Sequence, residues 1–456
     1  MTTAVLWLRR DLRLGDHPAL LAAAAAGADV LPLFVVDPAL WRAGTVRTAR
    51  LEASLGALST QTGGALVVRR GRPEHVVPAV AEEVAAREVH VTRETTPYGR
   101  RRDDRVREAL SLKQIELVET GTPYAVGPGL LRTASGTAYQ VFTPFSRAWR
   151  DHGWPTPAPQ HPEIAWRTGV PGERITSPCS PDAGEKAARS RWRRFLEQDL
   201  DGYAEARDRP DLDATSRMSV HLKYGEIHPR TMLADLAARA AGRPARSTRD
   251  DGVQRYVTEL CWREFYADVL WHRPGSAWRD LRDELREMPY ADAATSPLVA
   301  AWREGRTGYP LVDAGMRQLL EQGWMHNRLR MVTASFLVKD LHVWWPVGAR
   351  HFLDHLLDGD LASNNHGWQW VAGTGTDAAP FFRVFNPVSQ GRRFDPEGDY
   401  VRRWVPELAH VPGPAVHEPW RHPHGHARGY PERIVDHAAE RLEALRRYQQ
   451  ARARRA

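Results

Sequence analysis

The stretch HFLDHLLDGDLASNNHGWQW (residues 351–370) carries the pattern that decides the fold of the larger part of this chain. Helical periodicity dominates from residue 185 to the end, where strand signals are sparse. Residues 358–370 gather two acids, two asparagines and two indoles, which is more than turn-forming Asp and Asn alone explain. The sequence therefore predicts a large all-α part in which polar and aromatic residues are concentrated.

A second helical segment, YVTELCWREFYADVLWHRP (residues 256–274), places an acid, an indole, a guanidinium and a phenol on one face. Glu259, Trp262, Arg263 and Tyr266 stand at positions i, i+3, i+4 and i+7. Such a face is unusual for a core stripe and typical of the wall of a polar pocket. A solvated amphipathic helix would show the same spacing.

A third segment, DATSRMSVHLKYGEIHPR (residues 213–230), clusters Thr215, Ser216 and Ser219 ahead of a helix. Backbone N–H groups at such a helix start can bind a phosphate. An ordinary capped helix start explains the same residues equally well.

A fourth segment, residues 308–341, places Asn327, Arg330 and Met331 on one face after Gly323. The residues that follow have the pattern of a buried helix. Polar groups beside a buried helix again indicate a site within the helical part.

The first 125 or so residues alternate short apolar runs with amphipathic stretches. This alternation predicts a parallel, doubly wound sheet, and no GxGxxG follows the first strand to indicate an ordinary dinucleotide site. We expect an α/β domain over residues 1–126, a proline-rich connector over 127–184 and a helical domain over 185–456. The expected strands are 4–8, 30–36, 65–69, 88–92 and 115–119, and the expected helices are 19–26, 47–61, 74–86 and 101–112.

Charge favours a polyanionic partner. The 456 residues include 63 Lys and Arg against 56 Asp and Glu, and most of the basic residues are Arg, which suits phosphate contacts.

Two cysteines, Cys179 and Cys261, are too few for a structural zinc or an iron–sulfur cluster. There is no apolar run of membrane-spanning length and the N-terminus is too charged for a secretory signal, so a cytoplasmic location is expected.

The joint order of these segments resembles the class I photolyases of the photolyase/cryptochrome family. The resemblance covers nearly the whole chain, from LRRDLRLGDHPAL (residues 8–20) to VHEPW (416–420). Each motif is weak alone, and their order is specific: TSRMS (215–219), ELCWREFY (259–266), TGYPLVDAGMRQL (307–319), GWMHNRLRM (323–331) and DGDLASNNHGWQW (358–370).

The resemblance implies a bent FAD in an all-α, FAD-binding C-terminal domain, and light-driven repair of cyclobutane pyrimidine dimers by electron transfer from the reduced flavin. Arg330 is expected beside the flavin and close to Asp358. An amide at Asn364, facing flavin N5, suits a reduced, anionic ring. The residues expected to contact FAD are Tyr203, Thr215, Ser216, Arg217, Met218, Ser219, Arg330, Asp358, Gly359, Asp360 and Asn364.

The same resemblance implies catalytic roles on the lesion side. Glu259 is expected to hydrogen-bond the damaged bases and to act as a proton source, and Asn327 is expected to contact the lesion. Met331, Trp262 and Trp370 are expected to clamp a dimer flipped out of the duplex, since base flipping is a general property of photolyases.

Two tryptophans match a chain that reduces the flavin from the protein surface. Trp368 and Trp345 are its first two members. The family's usual interval, counted back from Trp302, falls on Asp292, which is not aromatic, so Tyr290, two residues away, is the expected third member. His366 stands where the family usually has glycine, and the sequence offers no physical account of it.

UV-damaged DNA is the expected partner of a monomeric protein. Contacts to the DNA backbone would position the strand without reading its sequence. The residues expected at this rim are Arg207, Trp262, Arg263, Asn327, Arg328, Gln390, Arg392, Arg393 and Arg403.

The α/β domain is expected to hold a light-harvesting antenna. TPYGRRRD (residues 96–103) and HLKYG (221–225) resemble the branch that binds 8-hydroxy-5-deazaflavin. Methenyltetrahydrofolate, a plain flavin and an empty pocket are the alternatives. The expected pocket residues are Val36, Asp37, Arg47, Asp103 and Lys223.

Three other functions stay open at this point. A cryptochrome-type blue-light photoreceptor would share the fold and FAD, but an amide at Asn364 favours repair over signalling. A (6-4) photolyase would use histidines near His326. A helical DNA-binding protein without flavin is the third alternative.

Overall fold

The computed structural model describes residues 2–41, 45–160, 163–173, 180–241, 252–286, 288–293, 296–376 and 382–453. Cys179 lies outside these residues, and Cys261 is buried and forms no disulfide with them. The chain forms two compact units, of which the first is Met1–Tyr139, Thr143–Asp201 and Ser216–Pro274, and the second is Gln140–Phe142, Gly202–Thr215 and Gly275–Ala456. These units are defined by contacts, and the sequence-based domain division stays a prediction.

A five-stranded parallel sheet in the first unit confirms the predicted α/β, doubly wound architecture. The strand order is β3-β2-β1-β4-β5, so strands are added to one side of β1 first and then to the other side. An open α/β sheet presents its binding crevice at such a switch in strand order. The central strand β1 is buried at every position, which is why its sequence is a continuous apolar run. The strands are β1 (Thr3–Leu8), β2 (Asp29–Val36), β3 (Val67–Arg70), β4 (Glu88–Val91) and β5 (Glu116–Glu119).

Four helices connect these strands, close to their predicted positions. The largest difference is at the start of α4, which begins at Pro97 because the Thr96 side chain caps it by accepting from the Gly99 N–H at 3.2 Å. The helices are α1 (Pro18–Ala26), α2 (Thr45–Gln61), α3 (Pro73–Glu83) and α4 (Pro97–Ser111).

The rest of the described chain is mostly helical, which confirms the predicted all-α part. Its π-helical turn and its 3-10 turns lie between the α-helices. The α-helices are α5 (Phe142–His152), α6 (Glu185–Gln198), α7 (Tyr203–Ala206), α8 (Met218–Tyr224), α9 (Pro229–Ala241), α10 (Gly252–His272), α11 (Pro297–Arg303), α12 (Pro310–Gln322), α13 (Asn327–Ser335), α14 (Trp345–His355), α15 (Leu361–Ala372), α16 (Pro387–Phe394), α17 (Asp399–Trp404) and α18 (His437–Ala453).

Buried carboxylates join helices of the first unit to its sheet layer. Glu226, which follows α8, accepts two hydrogen bonds from Arg50 of α2, at 2.9 and 2.7 Å, and one from the Gly184 N–H at 2.7 Å. Glu264 of α10 accepts from the N–H groups of Val126 and Gly127, at 3.1 and 3.3 Å. Each buried charge is therefore matched by donors, as burial requires.

The core of the second unit lies among α11 to α15, where Trp302, Phe336, Trp345 and Phe352 are fully buried. A π-helical turn, Phe336–Asp340, follows α13. His342 then adopts a left-handed conformation (φ 54°), and the chain enters α14. π-Helical turns such as Phe336–Asp340 are frequent at functional sites.

We expect Glu226→Gln to destabilise the protein by about 3–5 kcal/mol at pH 7, because it leaves the buried Arg50 charge without its carboxylate partner. Burial opposes ionisation of Glu226, but hydrogen bonds from His221 and Arg50 prevail and lower its pKa to about 2, from an ordinary value of 4.5. The difference from wild type should therefore be complete above pH 4.5 and shrink as the pH falls towards 2.

Denaturant unfolding at a series of pH values measures this difference. The matched control is Glu83→Gln, which removes an exposed ion pair with Arg69 and should cost about 0–1 kcal/mol. Equal losses in the two variants, or a difference that does not depend on pH, would contradict the assignment.

Candidate functional site

The predicted polar face of α10 forms in the first unit. Glu259, Trp262, Arg263 and Tyr266 are each half-buried along a helix of 21 residues whose other faces are largely buried. The ring centroids of Trp262 and Tyr266 lie 5.4 Å apart. The first unit therefore presents an aromatic and charged face of the kind that can contact a planar ligand.

Two of the arginines expected at DNA have partners within the protein. Arg263 donates to the Pro123 carbonyl oxygen at 3.0 Å, and its guanidinium lies 4.2 Å from the ring centroid of Tyr124. Arg328, in the second unit, pairs with Asp208 at 2.9 Å. These contacts hold both guanidinium groups, so each must serve the fold as well as any ligand.

The hydroxyl-rich segment before α8 is engaged in local hydrogen bonds. The Ser216 hydroxyl accepts from the Met218 N–H at 3.3 Å and lies 2.8 Å from the Tyr256 hydroxyl. Arg217 is the residue before the helix and is left-handed (φ 52°). The Ser216 hydroxyl thus bonds the first N–H of the helix and the Arg217 side chain does not cap it, and contact of residues 215–219 with FAD stays a prediction.

Helix α13 presents Asn327 and Met331 side by side on its accessible face, with the Asn327 Nδ2 atom 4.0 Å from the Met331 Sδ atom. His326 caps the helix, because its Nδ1 atom accepts from the Arg328 N–H at 3.1 Å. Burial lowers the pKa of His326 to about 4, so its ring is neutral at pH 7. His326 thus has a structural role in the second unit.

An ion pair joins α13 to the segment before α15. The Arg330 Nη2 atom donates to the Asp358 Oδ2 atom at 2.8 Å, and its Nε atom donates to the Met325 carbonyl oxygen at 2.8 Å. Asp358 is buried, and among the described residues its Oδ1 atom has no hydrogen-bond partner. Burial of such an atom is costly unless a donor meets it, and the N–H or O–H group of a ligand would do so. FAD carries both kinds of donor, and these residues therefore fit it.

The start of α15 supplies two more polar groups. The Asp360 side chain caps the helix by accepting from the Ser363 N–H at 3.0 Å. The Asn364 amide donates to the Ala349 carbonyl oxygen at 3.0 Å and to the Asn365 Oδ1 atom at 2.8 Å. These bonds use both amide hydrogens, so the carbonyl oxygen of Asn364 is the group left to accept from a ligand, and its contact with the flavin stays a prediction.

The three residues expected to transfer electrons all lie in the second unit. Trp368 and Trp345 are buried, and the Trp345 indole N–H donates to the Asp280 Oδ1 atom at 2.6 Å. The ring of Trp368 packs against Phe352, with centroids 4.9 Å apart. Tyr290 is half-buried, and its hydroxyl has no hydrogen-bond partner among the described residues.

The structure accounts for His366, which the sequence left unexplained. Its Nδ1–H donates to the Ala362 carbonyl oxygen and its Nε2 atom accepts from the Ser276 hydroxyl, both at 2.8 Å. Burial lowers the pKa of His366 to about 4, so the ring is neutral. Gln369 donates to the Ser276 carbonyl oxygen at 2.7 Å and accepts from the Leu281 N–H at 3.0 Å. These bonds hold residues 276–281, which include Asp280, against α15.

Exposed arginines of α16 and α17 form the accessible part of the expected DNA rim. Arg392, Arg393 and Arg403 are exposed, and Arg392 pairs with Glu418. Arg207 is half-buried, with its Nε atom 3.9 Å from an oxygen of Asp208. Of the remaining expected residues, Tyr203, Met218 and Gly359 are buried, Thr215, Trp370 and Gln390 are half-buried, and Ser219 is exposed.

The carboxylates expected at the antenna have internal partners in the first unit. Asp103 accepts from Arg9 and from Arg102, at 2.8 Å in each case. Asp37 accepts from the Tyr98 hydroxyl. Val36 is buried, and Arg47 and Lys223 are half-buried. The antenna pocket stays a prediction.

The expected site residues thus divide between the two units. Residues 216–219, 259, 262 and 263 belong to the first unit, and the expected contacts at 203–215 and from 327 onward belong to the second. Asp280 and Ser276 were not predicted, because no local spacing pattern marks them.

Within the described ranges, no helix has the length and apolar character to cross a membrane, and no group of side chains could hold a metal ion.

Two family models match this chain. Residues 4–163 match the model described as DNA photolyase, and residues 256–450 match the FAD binding domain of DNA photolyase. The deoxyribodipyrimidine photo-lyase of Streptomyces griseus is 42% identical over 99% of this chain and 99% of its own.

Solved structures show the same similarity. A bacterial class III photolyase from Agrobacterium tumefaciens superposes with a TM-score of 0.90 at 36% identity, covering 99% of this chain and 98% of its own. An archaeal photolyase from Sulfolobus tokodaii, solved with two FAD molecules, has a TM-score of 0.85 at 28% identity, covering 98% and 100%. Since the family models span most of the sequence and the Streptomyces enzyme aligns along its whole length, this chain belongs to the DNA photolyase family.

Proposed function

We propose that this protein is a deoxyribodipyrimidine photo-lyase, which uses light to split cyclobutane pyrimidine dimers in DNA. The observation that carries the proposal is the full-length match to an enzyme of that name. Two surfaces support it: the half-exposed face of α10 and the Asn327–Met331 pair of α13 combine aromatic, apolar and hydrogen-bonding groups suited to bases.

FAD is the cofactor of the proposed reaction, and the match of residues 256–450 to an FAD-binding domain supports this. Arg330, Asp358 and Asn364 would hold its ring. The other expected contacts are Tyr203, residues 215–219, Gly359 and Asp360. When bound and reduced, FAD supplies the electron that, after light absorption, opens the two bonds of the dimer and then returns.

The protein binds and orients both molecules in this proposal. The Asp358 Oδ1 atom accepts from the cofactor while Arg330 neutralises the carboxylate. The Asn364 carbonyl accepts without adding negative charge. Glu259 hydrogen-bonds the damaged bases and supplies a proton, and Asn327 contacts the lesion.

A flipped dimer is the substrate that such a site would take. A dimer stacks and pairs poorly, so flipping it out of the duplex costs less than flipping a normal base. Met331, Trp262 and Trp370 would enclose the dimer and exclude water. The phosphates on either side would contact the basic rim, above all the exposed Arg392, Arg393 and Arg403. We extend the proposal to a monomer acting in the cytoplasm.

An antenna chromophore in the α/β part completes the proposal, and 8-hydroxy-5-deazaflavin is the expected molecule. A methenyltetrahydrofolate or a plain flavin is the alternative, and the archaeal relative solved with two FAD molecules makes the flavin a concrete one. Val36, Asp37, Arg47, Asp103 and Lys223 are the proposed pocket residues. The absorption spectrum tests this, because a bound chromophore absorbs light directly. The protein must come from its native source, because a host that makes no deazaflavin would leave the pocket without it.

The other functions predict different light responses. Illumination of the reduced protein with DNA containing cyclobutane dimers should remove the dimers. The same mixture kept in the dark should keep all of them. A cryptochrome would leave the dimers intact under light. A (6-4) photolyase would repair (6-4) photoproducts in a competition assay and leave the cyclobutane dimers.

We expect Glu259→Ala to reduce the preference for dimer-containing over undamaged DNA by about 0.5–1.5 kcal/mol, the usual net contribution of one hydrogen bond. The ratio of the two dissociation constants measures this preference. Glu321→Ala, at an exposed position of α12, is the matched control. A ratio equal to that of wild type would exclude Glu259 from lesion recognition.

Arg393→Gln should weaken binding of damaged and undamaged DNA alike, because binding to a phosphate carries no sequence information. The slope of log K against log salt concentration should fall by about 1, because the variant neutralises one phosphate fewer and releases fewer counterions. Arg306→Gln is the control, since Arg306 is exposed and paired with Glu304. An unchanged slope for Arg393→Gln would remove this residue from the DNA rim.

A further inference from the structure

Two adjacent indoles at the start of α14 lead from the core of the second unit to its surface. Trp345 is fully buried and Trp344 is 37% exposed, with ring centroids 6.4 Å apart. Trp345 precedes Gly348 by one helical turn, and a Cβ atom at Gly348 would lie 2.2 Å from the Trp368 ring. Trp345 therefore lies one turn from the residue that packs on Trp368, and Trp345 and Trp344 are an adjacent pair that ends at solvent.

Asp280 accepts from both indoles of this pair. Its Oδ1 atom accepts from Trp345 at 2.6 Å and its Oδ2 atom accepts from Trp344 at 3.4 Å. The carboxylate is 4% exposed and stands on the segment that His366 and Gln369 hold against α15. Burial raises the pKa of Asp280, which makes it a better proton acceptor.

Tyr290 is less suited to lose an electron at this surface. Its ring lies 6.4 Å from that of Trp344, so distance does not exclude it. A phenol, however, is oxidised readily only when its proton can leave at the same time. The Tyr290 hydroxyl is buried without a partner among the described residues, and burial raises its pKa. Asp280 accepts from the indoles instead.

We propose that Trp344, in place of Tyr290, is the surface electron donor of this protein, and that Asp280 takes its indole proton. The proposal rests on the proposed function, since the oxidant is the oxidised flavin excited by light. One electron passes from Trp344 through Trp345 and Trp368 to the flavin. The N–H proton of oxidised Trp344 then passes to Asp280, leaving a neutral indolyl radical and a carboxylic acid. An external thiol returns a hydrogen atom to the indole, and Asp280 releases its proton to water.

Flash excitation of the oxidised flavoprotein without DNA tests this proposal, followed by transient absorption of the tryptophan radical. Wild type should give a long-lived neutral indolyl radical. Trp344→Phe should lose it, and Tyr290→Phe should keep it. In Asp280→Asn the radical should form as the cation and decay by charge recombination, because its proton acceptor is gone. Trp420→Phe is the control, a half-buried indole that packs on Tyr309.

Flavin content and melting temperature are measured for each variant, so that a loss of signal is compared only among folded, loaded proteins. The proposal is overturned if Trp344→Phe keeps the long-lived radical, if Tyr290→Phe loses it, or if wild type forms none. A separate assay of wild type, reduced chemically and illuminated with dimer-containing DNA, tests the proposed function. Failure of repair there, with a normal radical signal, would overturn the function and leave the electron path standing.

Discussion

The ion pair between Arg330 and Asp358 is the interaction on which the site in the second unit depends. It joins α13, which presents Asn327 and Met331, to the start of α15, which presents Asp360 and Asn364. Asp358 is buried and Arg330 is half-buried, so removing Arg330 would leave the buried carboxylate without its charged partner. The pair therefore fixes two helix starts together, and it leaves one carboxylate oxygen of Asp358 for a ligand.

The structure explains why the sequence of α15 and of its cap residue is so unusual, because the side chains have separate tasks. Asp360 caps the helix, and Asn364 is oriented by two donated hydrogen bonds. His366 and Gln369 bind the segment that includes Asp280. Trp368 packs into the core. Polar residues at this density are tolerated inside the protein because each has a partner or a proposed ligand.

Periodicity alone was enough to predict the sheet strands to within two residues and the half-exposed face of α10. Both are local patterns, which depend on residues two to four positions apart. The partners of His366 and Gln369 lie about 90 positions away, so spacing could not reveal them. Arg263 and Arg328 look like surface cations in the sequence, yet tertiary contacts with Tyr124 and Asp208 engage both.

The most direct test of this account is the affinity for FAD of Asp358→Asn, measured by release of flavin fluorescence on dilution. The substitution keeps the side-chain volume and removes the charged acceptor, so FAD binding should weaken by about 1.5–3 kcal/mol. Asp354→Asn, at an exposed position of α14, should bind FAD as wild type does. Equal retention of FAD by both variants would contradict the role of the Arg330–Asp358 pair in holding the cofactor.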